Sequence, residues 1–154
     1  MRRVALVAAC CIWGCSPADF HFQDGSSGRY GDWLGKWVVV NYWAEWCAPC
    51  RQEIPELNAL YEHRDPKGLL VVGVNFDGID GDDLKALVAK MKIAYPVMVG
   101  APSAHWDYPM PSVLPTSVLI GPDGTVAATL VGPQSRASLE AAMSAPARQR
   151  AAGS

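Results

Sequence analysis

The sequence has no cysteine after Cys50, although it contains five in all. Cys10, Cys11 and Cys15 lie near the N-terminus, and Cys47 and Cys50 are separated by two residues. This distribution excludes a framework of several disulfides. It also argues against a zinc site, because a tetrahedral site needs four ligands and no second cysteine pair follows. The three histidines are scattered along the chain, so we expect neither a metal ion nor a cofactor.

The sequence also lacks a cluster of basic residues. Lys and Arg together number 13 against 15 Asp and Glu, which gives a formal net charge of −2 at pH 7. Proteins that bind nucleic acid neutralise phosphates with concentrated Lys and Arg, so we expect no nucleic-acid partner. The chain has 154 residues, of which 50% are hydrophobic. This length and composition suit one folded domain.

The apolar run near the N-terminus is too short to cross a membrane as a helix. It covers residues 4–13, about half of the roughly 20 residues that a spanning helix needs. It follows Arg2 and Arg3, a pattern typical of a secretory signal. An aliphatic Ile12 three residues before Cys15, with glycine just before the cysteine, resembles a bacterial lipoprotein box. The resemblance implies that Cys15 carries lipid, and Ser16 after it favours the outer membrane over the inner membrane.

Two other outcomes remain open for this N-terminal segment. Cleavage at Ser16-x-Ala18 would release a soluble protein, and an uncleaved segment would act as an anchor. We divide the chain into a signal peptide with the lipoprotein box over residues 1–15, a folded domain over residues 16–145 and a flexible tail over residues 146–154. The expected location is the periplasm or cell envelope of a bacterium.

The sequence does contain a cysteine pair between a predicted strand and a predicted helix. The apolar run 37–43 predicts a buried strand, and apolar residues recur at helical spacing from Ile54 to Tyr61. Cys47 is therefore expected at a helix N-terminus, where unpaired N–H groups and the helix dipole stabilise negative charge. In such settings the pKa of a cysteine falls from about 8.5 to roughly 3.5–7.5. Cys47 then becomes a nucleophile, onto which Cys50 can close as a disulfide.

Residues 41–55 resemble the active site of the TlpA/ResA branch of thioredoxin-like proteins, which bacteria tether to membranes. The motif Trp46-Cys47-Ala48-Pro49-Cys50 is similar to that of thioredoxin itself. Two positions favour the branch: Asn41 stands six residues before Cys47, and Glu53 stands three residues after Cys50. The resemblance covers roughly residues 20–145 and implies a thiol-disulfide oxidoreductase. A purely structural disulfide remains an alternative, although its short loop would add little stability.

The rest of the pattern predicts an α/β fold. Strands are expected over residues 69–76, 95–99, 113–120 and 125–131, with helices around residues 84–91 and after Ser135. This order predicts a central mixed β-sheet with helices on both faces. The resemblance implies the same architecture, which is that of a thioredoxin-like fold.

The resemblance also assigns roles to individual residues. Cys47 attacks a substrate disulfide and Cys50 resolves the mixed disulfide, so the two form a redox-active disulfide. Pro115 matches a family proline that is cis and faces the cysteine pair. Trp46, Leu114 and Pro115 are expected to contact the substrate, which can pair with the backbone before the proline by strand addition.

Two side chains each allow two interpretations. Glu53, one helical turn beyond Cys50, is either the acceptor of the Cys50 proton or a salt-bridged surface residue. His105 lies in a proline-rich loop, residues 100–113, that is expected to approach the site. It either tunes the thiols or meets substrate, or it is an ordinary loop residue, and geometry decides between these interpretations.

The predicted function is the reduction of disulfides in exported proteins. Ala48-Pro49 between the cysteines resembles the Gly-Pro of reducing thioredoxins more than the Pro-His of strong oxidants. The expected partners are proteins with disulfides or thiols, a membrane electron donor for re-reduction, and the membrane itself through the lipid anchor. The alternatives are a thiol oxidase and a non-catalytic lipoprotein that binds a partner or delivers a metal ion. The lone-cysteine pattern of a peroxidase is missing.

Overall fold

The computed structural model describes residues 17–145 as seven strands and three α-helices. The strands are β1 (Phe20–Phe22), β2 (Ser27–Gly28), β3 (Trp37–Trp43), β4 (Leu69–Asn75), β5 (Val97–Val99), β6 (Thr116–Ile120) and β7 (Val126–Val131). The helices are α1 (Ala48–His63), α2 (Gly81–Met91) and α3 (Arg136–Ser144). Two short 3-10 helices cover Tyr30–Trp33 and Pro102–Ala104. The signal region 1–15, with Cys15, and the tail 146–154 lie outside the described residues.

All seven strands belong to one mixed sheet in the order β2-β1-β5-β4-β3-β6-β7. β3, β4 and β5 run parallel to one another, and the remaining pairs in the sheet are antiparallel. The parallel strands are joined by α1 and α2, as parallel connections require. The predicted α/β class with a central mixed sheet is confirmed.

The two faces of the sheet are covered differently. Successive side chains of a strand point to opposite faces, and those of β3 alternate between two apolar clusters, with Val39 in one and Val40 in the other. The buried residues of all three α-helices pack in the cluster of Val39, for example Leu57, Leu84 and Leu139. The second face is covered by loops and by the two 3-10 helices. All three α-helices therefore lie on one face, and the helices on the second face are single 3-10 turns.

Several element boundaries follow from local chemistry. β5 and β6 begin directly after Pro96 and Pro115, and proline cannot donate a hydrogen bond to a strand ladder. The predicted start of a helix after Ser135 is confirmed. Ser135 caps α3, because its side chain accepts a hydrogen bond from the Ser138 N–H at 3.1 Å. The Ser138 hydroxyl in turn accepts one from the Ser135 N–H at 2.9 Å, which completes a capping box.

Within residues 17–145, none of the helices combines the length and the apolar character needed to cross a bilayer.

Candidate active site

The cysteine pair lies where β3 passes the chain to α1, as the sequence predicts. Cys47 is the N-cap residue of α1, and Pro49 stands in the first turn, where its missing N–H breaks no helical hydrogen bond. Cys47 and Cys50 form a disulfide with Cα atoms 5.3 Å apart. The Cys47 sulfur also accepts a hydrogen bond from the Cys50 backbone N–H at 3.2 Å. The first sulfur is thus placed among the unpaired N–H groups that begin a helix.

The small accessible surface of the pair lies mainly on Cys47. Cys47 is 4% exposed and Cys50 1%. Trp46, next to Cys47 in the chain, is 63% exposed, so it offers a large aromatic surface to solvent. This order of exposure suits a first cysteine that attacks and a second that resolves, a division of roles that stays a prediction.

Trp46 is held at the rim of the site by the two residues that directly follow β4. Its indole Nε1–H donates to both carboxylate oxygens of Asp77 at 3.2 Å. Its ring meets Phe76 edge to face, with the ring centres 6.5 Å apart. The sequence analysis did not identify Asp77, which comes directly after the predicted strand 69–76. The available signal was its position just after a strand parallel to β3, since the ends of neighbouring parallel strands meet at one edge of a sheet.

Pro115 lies at the same edge of the sheet as the cysteines. The Leu114–Pro115 peptide bond is cis, as the resemblance implied. Tyr42, near the end of β3, pairs with Thr116, the first residue of β6, so the segment that precedes β6 lies beside the segment that follows β3. Leu114 is half-buried and packs against the apolar cluster that contains both cysteines. The structure thus brings the predicted site residues of the two strands to one edge.

Glu53 is buried, with 2% exposure. Its Oε1 accepts hydrogen bonds from the Gln134 backbone N–H at 3.2 Å and the Ser117 hydroxyl at 3.5 Å. Its Oε2 accepts one from Asn41 Nδ2 at 3.3 Å. Within residues 17–145, none of the ion pairs includes Glu53. The alternative of a salt-bridged surface glutamate is therefore wrong.

Burial raises the pKa of Glu53 from 4.5 to about 7, although its hydrogen bonds to Gln134, Asn41 and Ser117 act in the opposite direction. Desolvation disfavours the carboxylate more than three neutral donors favour it. The carboxyl group therefore changes its charge near neutral pH. Because residues three apart are neighbours on a helix, Glu53 stands on the same side of α1 as Cys50. This placement suits a proton acceptor for that thiol, a role that stays a prediction.

Asn41 extends the polar contacts of Glu53 to Tyr95. The Tyr95 hydroxyl donates to Asn41 Oδ1 at 3.3 Å, and Asn41 Nδ2 also donates to the Ser117 hydroxyl at 3.2 Å. All three of these residues are buried. Sequence reasoning used Asn41 as a family marker and missed Ser117 and Tyr95. The available signal for Ser117 was a polar residue inside a strand that is mostly apolar, as Asn41 is in β3.

His105 does not join the cysteines. Its ring stacks on Tyr30 at 3.8 Å between ring centres and also contacts Trp106. It lines a cavity with Gly121, which follows β6, whereas Pro115 precedes it. A role in tuning the thiols is therefore wrong, and these ring contacts agree with an ordinary loop histidine. No three His, Cys, Asp or Glu side chains in the described part of the chain are grouped so that they could hold a metal ion.

The geometry of the site agrees with comparisons to known proteins. Residues 16–129, most of the chain, match the AhpC/TSA family. The chain belongs to this family. The thiol-disulfide oxidoreductase ResA of Bacillus cereus is 31% identical over 117 residues, which cover 76% of this chain and 67% of that protein. ResA of Bacillus subtilis is 32% identical over 124 residues, which cover 77% and 67% respectively.

A solved structure shows the same fold. A thiol:disulfide interchange protein of the thioredoxin family from Chlorobium tepidum superposes with a TM-score of 0.68 at 29% identity, over 83% of this chain and 92% of that one. The predicted resemblance to TlpA/ResA-like proteins and the thioredoxin-like fold are confirmed. This member of the AhpC/TSA family is a thiol-disulfide oxidoreductase.

Proposed function

We propose that the protein reduces disulfides of proteins in the bacterial cell envelope, with Cys47 as nucleophile and Cys50 as resolving thiol. The observation that carries this proposal is the position of the Cys47 sulfur at the N-cap of α1, where it accepts the Cys50 N–H. In the reduced protein the same N–H and the helix dipole would stabilise a thiolate. A thiolate is the form of cysteine that attacks disulfides.

The proposed reaction is a two-step exchange. The Cys47 thiolate attacks one sulfur of the substrate disulfide, which forms a mixed disulfide and releases the other substrate sulfur as a thiolate that takes up a proton. Cys50 then loses its proton and attacks the Cys47 sulfur. The substrate leaves with two thiols, and the protein keeps the Cys47–Cys50 disulfide, so two electrons have passed to the substrate.

Glu53 is the proposed acceptor of the Cys50 proton, directly or through a water molecule. Two observations support this role: the carboxyl group is buried on the helix turn next to Cys50, and its pKa is raised to about 7. A base whose pKa lies near the working pH is the most effective one, since it is both available and strong enough to accept the proton.

The proposed substrate contacts lie around the exposed edge of the disulfide. Trp46 offers its exposed indole on one side, and Leu114 with Pro115 borders the site on the other. Val113, just before them, is 54% exposed, so an extended substrate segment has access to this stretch of backbone. Strand addition to such a segment provides affinity through main-chain hydrogen bonds.

The direction of electron flow is proposed to be reductive, with re-reduction by a membrane electron donor. The Ala48-Pro49 dipeptide supports a reduction potential nearer to about −270 mV, as in thioredoxin, than to about −120 mV, as in a strong oxidant. Equilibration with glutathione redox buffers measures this potential. A value above about −150 mV would favour the thiol oxidase.

We also propose that lipid on Cys15 anchors the protein in the cell envelope, with the outer membrane favoured over the inner. The lipoprotein box that ends at Cys15 supports this anchor. Growth with radiolabelled palmitate should label the wild type and leave Cys15→Ser unlabelled. Equal labelling of both forms would exclude Cys15 as the lipidated residue.

Reduction of insulin disulfides by the reduced protein tests the central proposal. Wild type should be active, and Cys47→Ser should have lost the activity. Cys50→Ala should accumulate a mixed disulfide with the substrate, because the resolving thiol is missing. Activity of Cys47→Ser equal to wild type would exclude Cys47 as the nucleophile. A wild type without activity would favour the non-catalytic binding or metal-delivery protein.

A further inference from the structure

Tyr95 approaches the active-site edge from a distant part of the sheet. It precedes β5, whereas Asn41 lies on β3, and β4 runs between the two strands. On β4 the residue paired with Asn41 is Gly73. A Cβ atom at position 73 would lie 3.0 Å from a ring carbon of Tyr95. The glycine therefore leaves the space through which the Tyr95 ring crosses β4.

The Tyr95 hydroxyl determines which end of the Asn41 amide faces Glu53. It donates to Asn41 Oδ1 at 3.3 Å, and the opposite end of the amide, Nδ2, donates to Glu53 Oε2 at the same distance. A carboxylate needs donors, so this orientation favours the charged form of Glu53. If the hydroxyl were removed, Oδ1 would be a buried acceptor without its donor. Tyr95 would then no longer oppose rotation of the Asn41 amide. Such a rotation would turn the amide oxygen Oδ1 towards Glu53.

We infer that Tyr95 is a positioning residue of the oxidoreductase site, whose hydroxyl holds the Asn41 amide with its NH₂ group towards Glu53 and so sets the pH at which Glu53 accepts the Cys50 proton. The inference rests on the proposed role of Glu53. Tyr95 lies outside the cysteine motif and acts on the site through Asn41.

The surroundings of Glu53 make its protonation sensitive to the orientation of the Asn41 amide. The elements that contact its carboxyl group contribute an amide from β3, a hydroxyl from β6 and a backbone N–H from the segment before α3. Among the titratable groups of the described residues, Cys50 precedes Glu53 by one turn of α1, and the phenol of Tyr95 interacts with it electrostatically. The pKa of Tyr95 is raised well above its ordinary value by burial and by Glu53, so its hydroxyl stays protonated and acts as a donor throughout the working range.

The test measures the titration of Glu53 directly. The ¹³C chemical shift of its side-chain carboxyl, followed by NMR against pH in the oxidised protein, gives the midpoint in wild type and in Tyr95→Phe. We expect the midpoint to rise by about one pH unit in Tyr95→Phe, since one hydrogen bond to a charged group has an effect of this order. The pH profile for release of a peptide from its mixed disulfide with Cys47 should move in the same direction.

Tyr42→Phe is the matched control. Tyr42 is also a buried tyrosine, but it points to the opposite face of the sheet, where its hydroxyl pairs with that of Tyr108 at 2.8 Å. This variant should leave the Glu53 midpoint unchanged. In an Asn41→Ala background, Tyr95→Phe should produce no further shift, because the amide through which it acts is gone.

The measurements distinguish a failure of the role of Tyr95 from a failure of the role of Glu53. An unchanged Glu53 midpoint in Tyr95→Phe, or an equal shift with and without Asn41, would overturn the role of Tyr95. An unchanged pH profile of peptide release in Glu53→Gln would instead overturn the proposed role of Glu53, whatever the carboxyl titration shows. The near-ultraviolet circular dichroism spectrum of each variant confirms that its fold is retained.

Discussion

Glu53 is a buried acid whose partners are neutral hydrogen-bond donors. A cation at the site would hold the pKa of the carboxyl group below its ordinary value, as opposite charges do. Here the donors come from a backbone N–H, an amide and a hydroxyl, and burial raises the pKa to about 7. The chemistry that follows from this arrangement is proton exchange close to neutral pH.

Replacement of Glu53 by glutamine tests its role in the exchange. In Glu53→Gln, release of substrate from the mixed disulfide should slow by about a hundredfold at pH 7, because general bases contribute roughly 10²–10⁴-fold. The defect should shrink at higher pH, as the Cys50 thiol ionises without help. Stopped-flow measurement of the release rate checks this expectation. Glu62→Gln, an exposed position on the same helix, is the control, and an equal rate in both variants would contradict the role.

The residues of the site differ in how far the sequence could predict them. Cys47 and Cys50 carry their signal in the motif and its spacing, whereas Pro115 was identified through the family resemblance. The burial of Glu53 could not be predicted, because it depends on contacts with β6 and with the segment before α3, which are distant in sequence. Tyr95 was missed for the same reason: its partner Asn41 lies 54 positions away.

At the scale of elements, the start of α3 helps to shape the site. Its capping box fixes Ser135, and the residue just before, Gln134, donates its N–H to Glu53. A stable beginning of α3 therefore holds one of the three donors in place. The position of this cap followed from the sequence, whereas its link to Glu53 required the packing of α3 against α1.

Removal of the cap should destabilise the protein without abolishing its fold. Ser135→Ala should lower the free energy of unfolding by about 1 kcal/mol, the usual effect of losing an N-cap side chain. Urea unfolding of the oxidised protein measures this change. Ser144→Ala, at the last residue of the same helix, should have a smaller effect. Equal losses in the two variants would contradict the importance of the cap.

At the scale of the whole molecule, the sheet order brings the site together, and it was only partly predictable. The alternation of strands and helices indicated a mixed sheet. It did not indicate that β1 and β2 would extend the sheet beyond β5, nor that all three α-helices would pack on one face. Such features depend on contacts between distant segments, which a local pattern does not contain.

The buried acid should also make the stability of the whole molecule depend on pH. The ordinary pKa of 4.5 applies to Glu53 in the unfolded chain, and the folded value is about 7, so the folded state binds more protons between these values. Stability should therefore fall as pH rises from about 4.5 to 7, by roughly 3 kcal/mol for this group alone. Urea unfolding at pH 5 and pH 8 should show a smaller fall in Glu53→Gln. Identical falls in the two proteins would contradict the raised pKa.

The proposed disulfide exchange depends most on the ionisation of Cys47 at the N-terminus of α1. Its pKa in the reduced protein can be measured from the pH dependence of alkylation by iodoacetamide in Cys50→Ala. The reaction is followed at Cys47 by peptide mass spectrometry, because Cys10, Cys11 and Cys15 can also react. The helix N-terminus predicts a pKa below about 7.5. A value near 8.5, that of an ordinary thiol, would contradict the assignment of Cys47 as the attacking group.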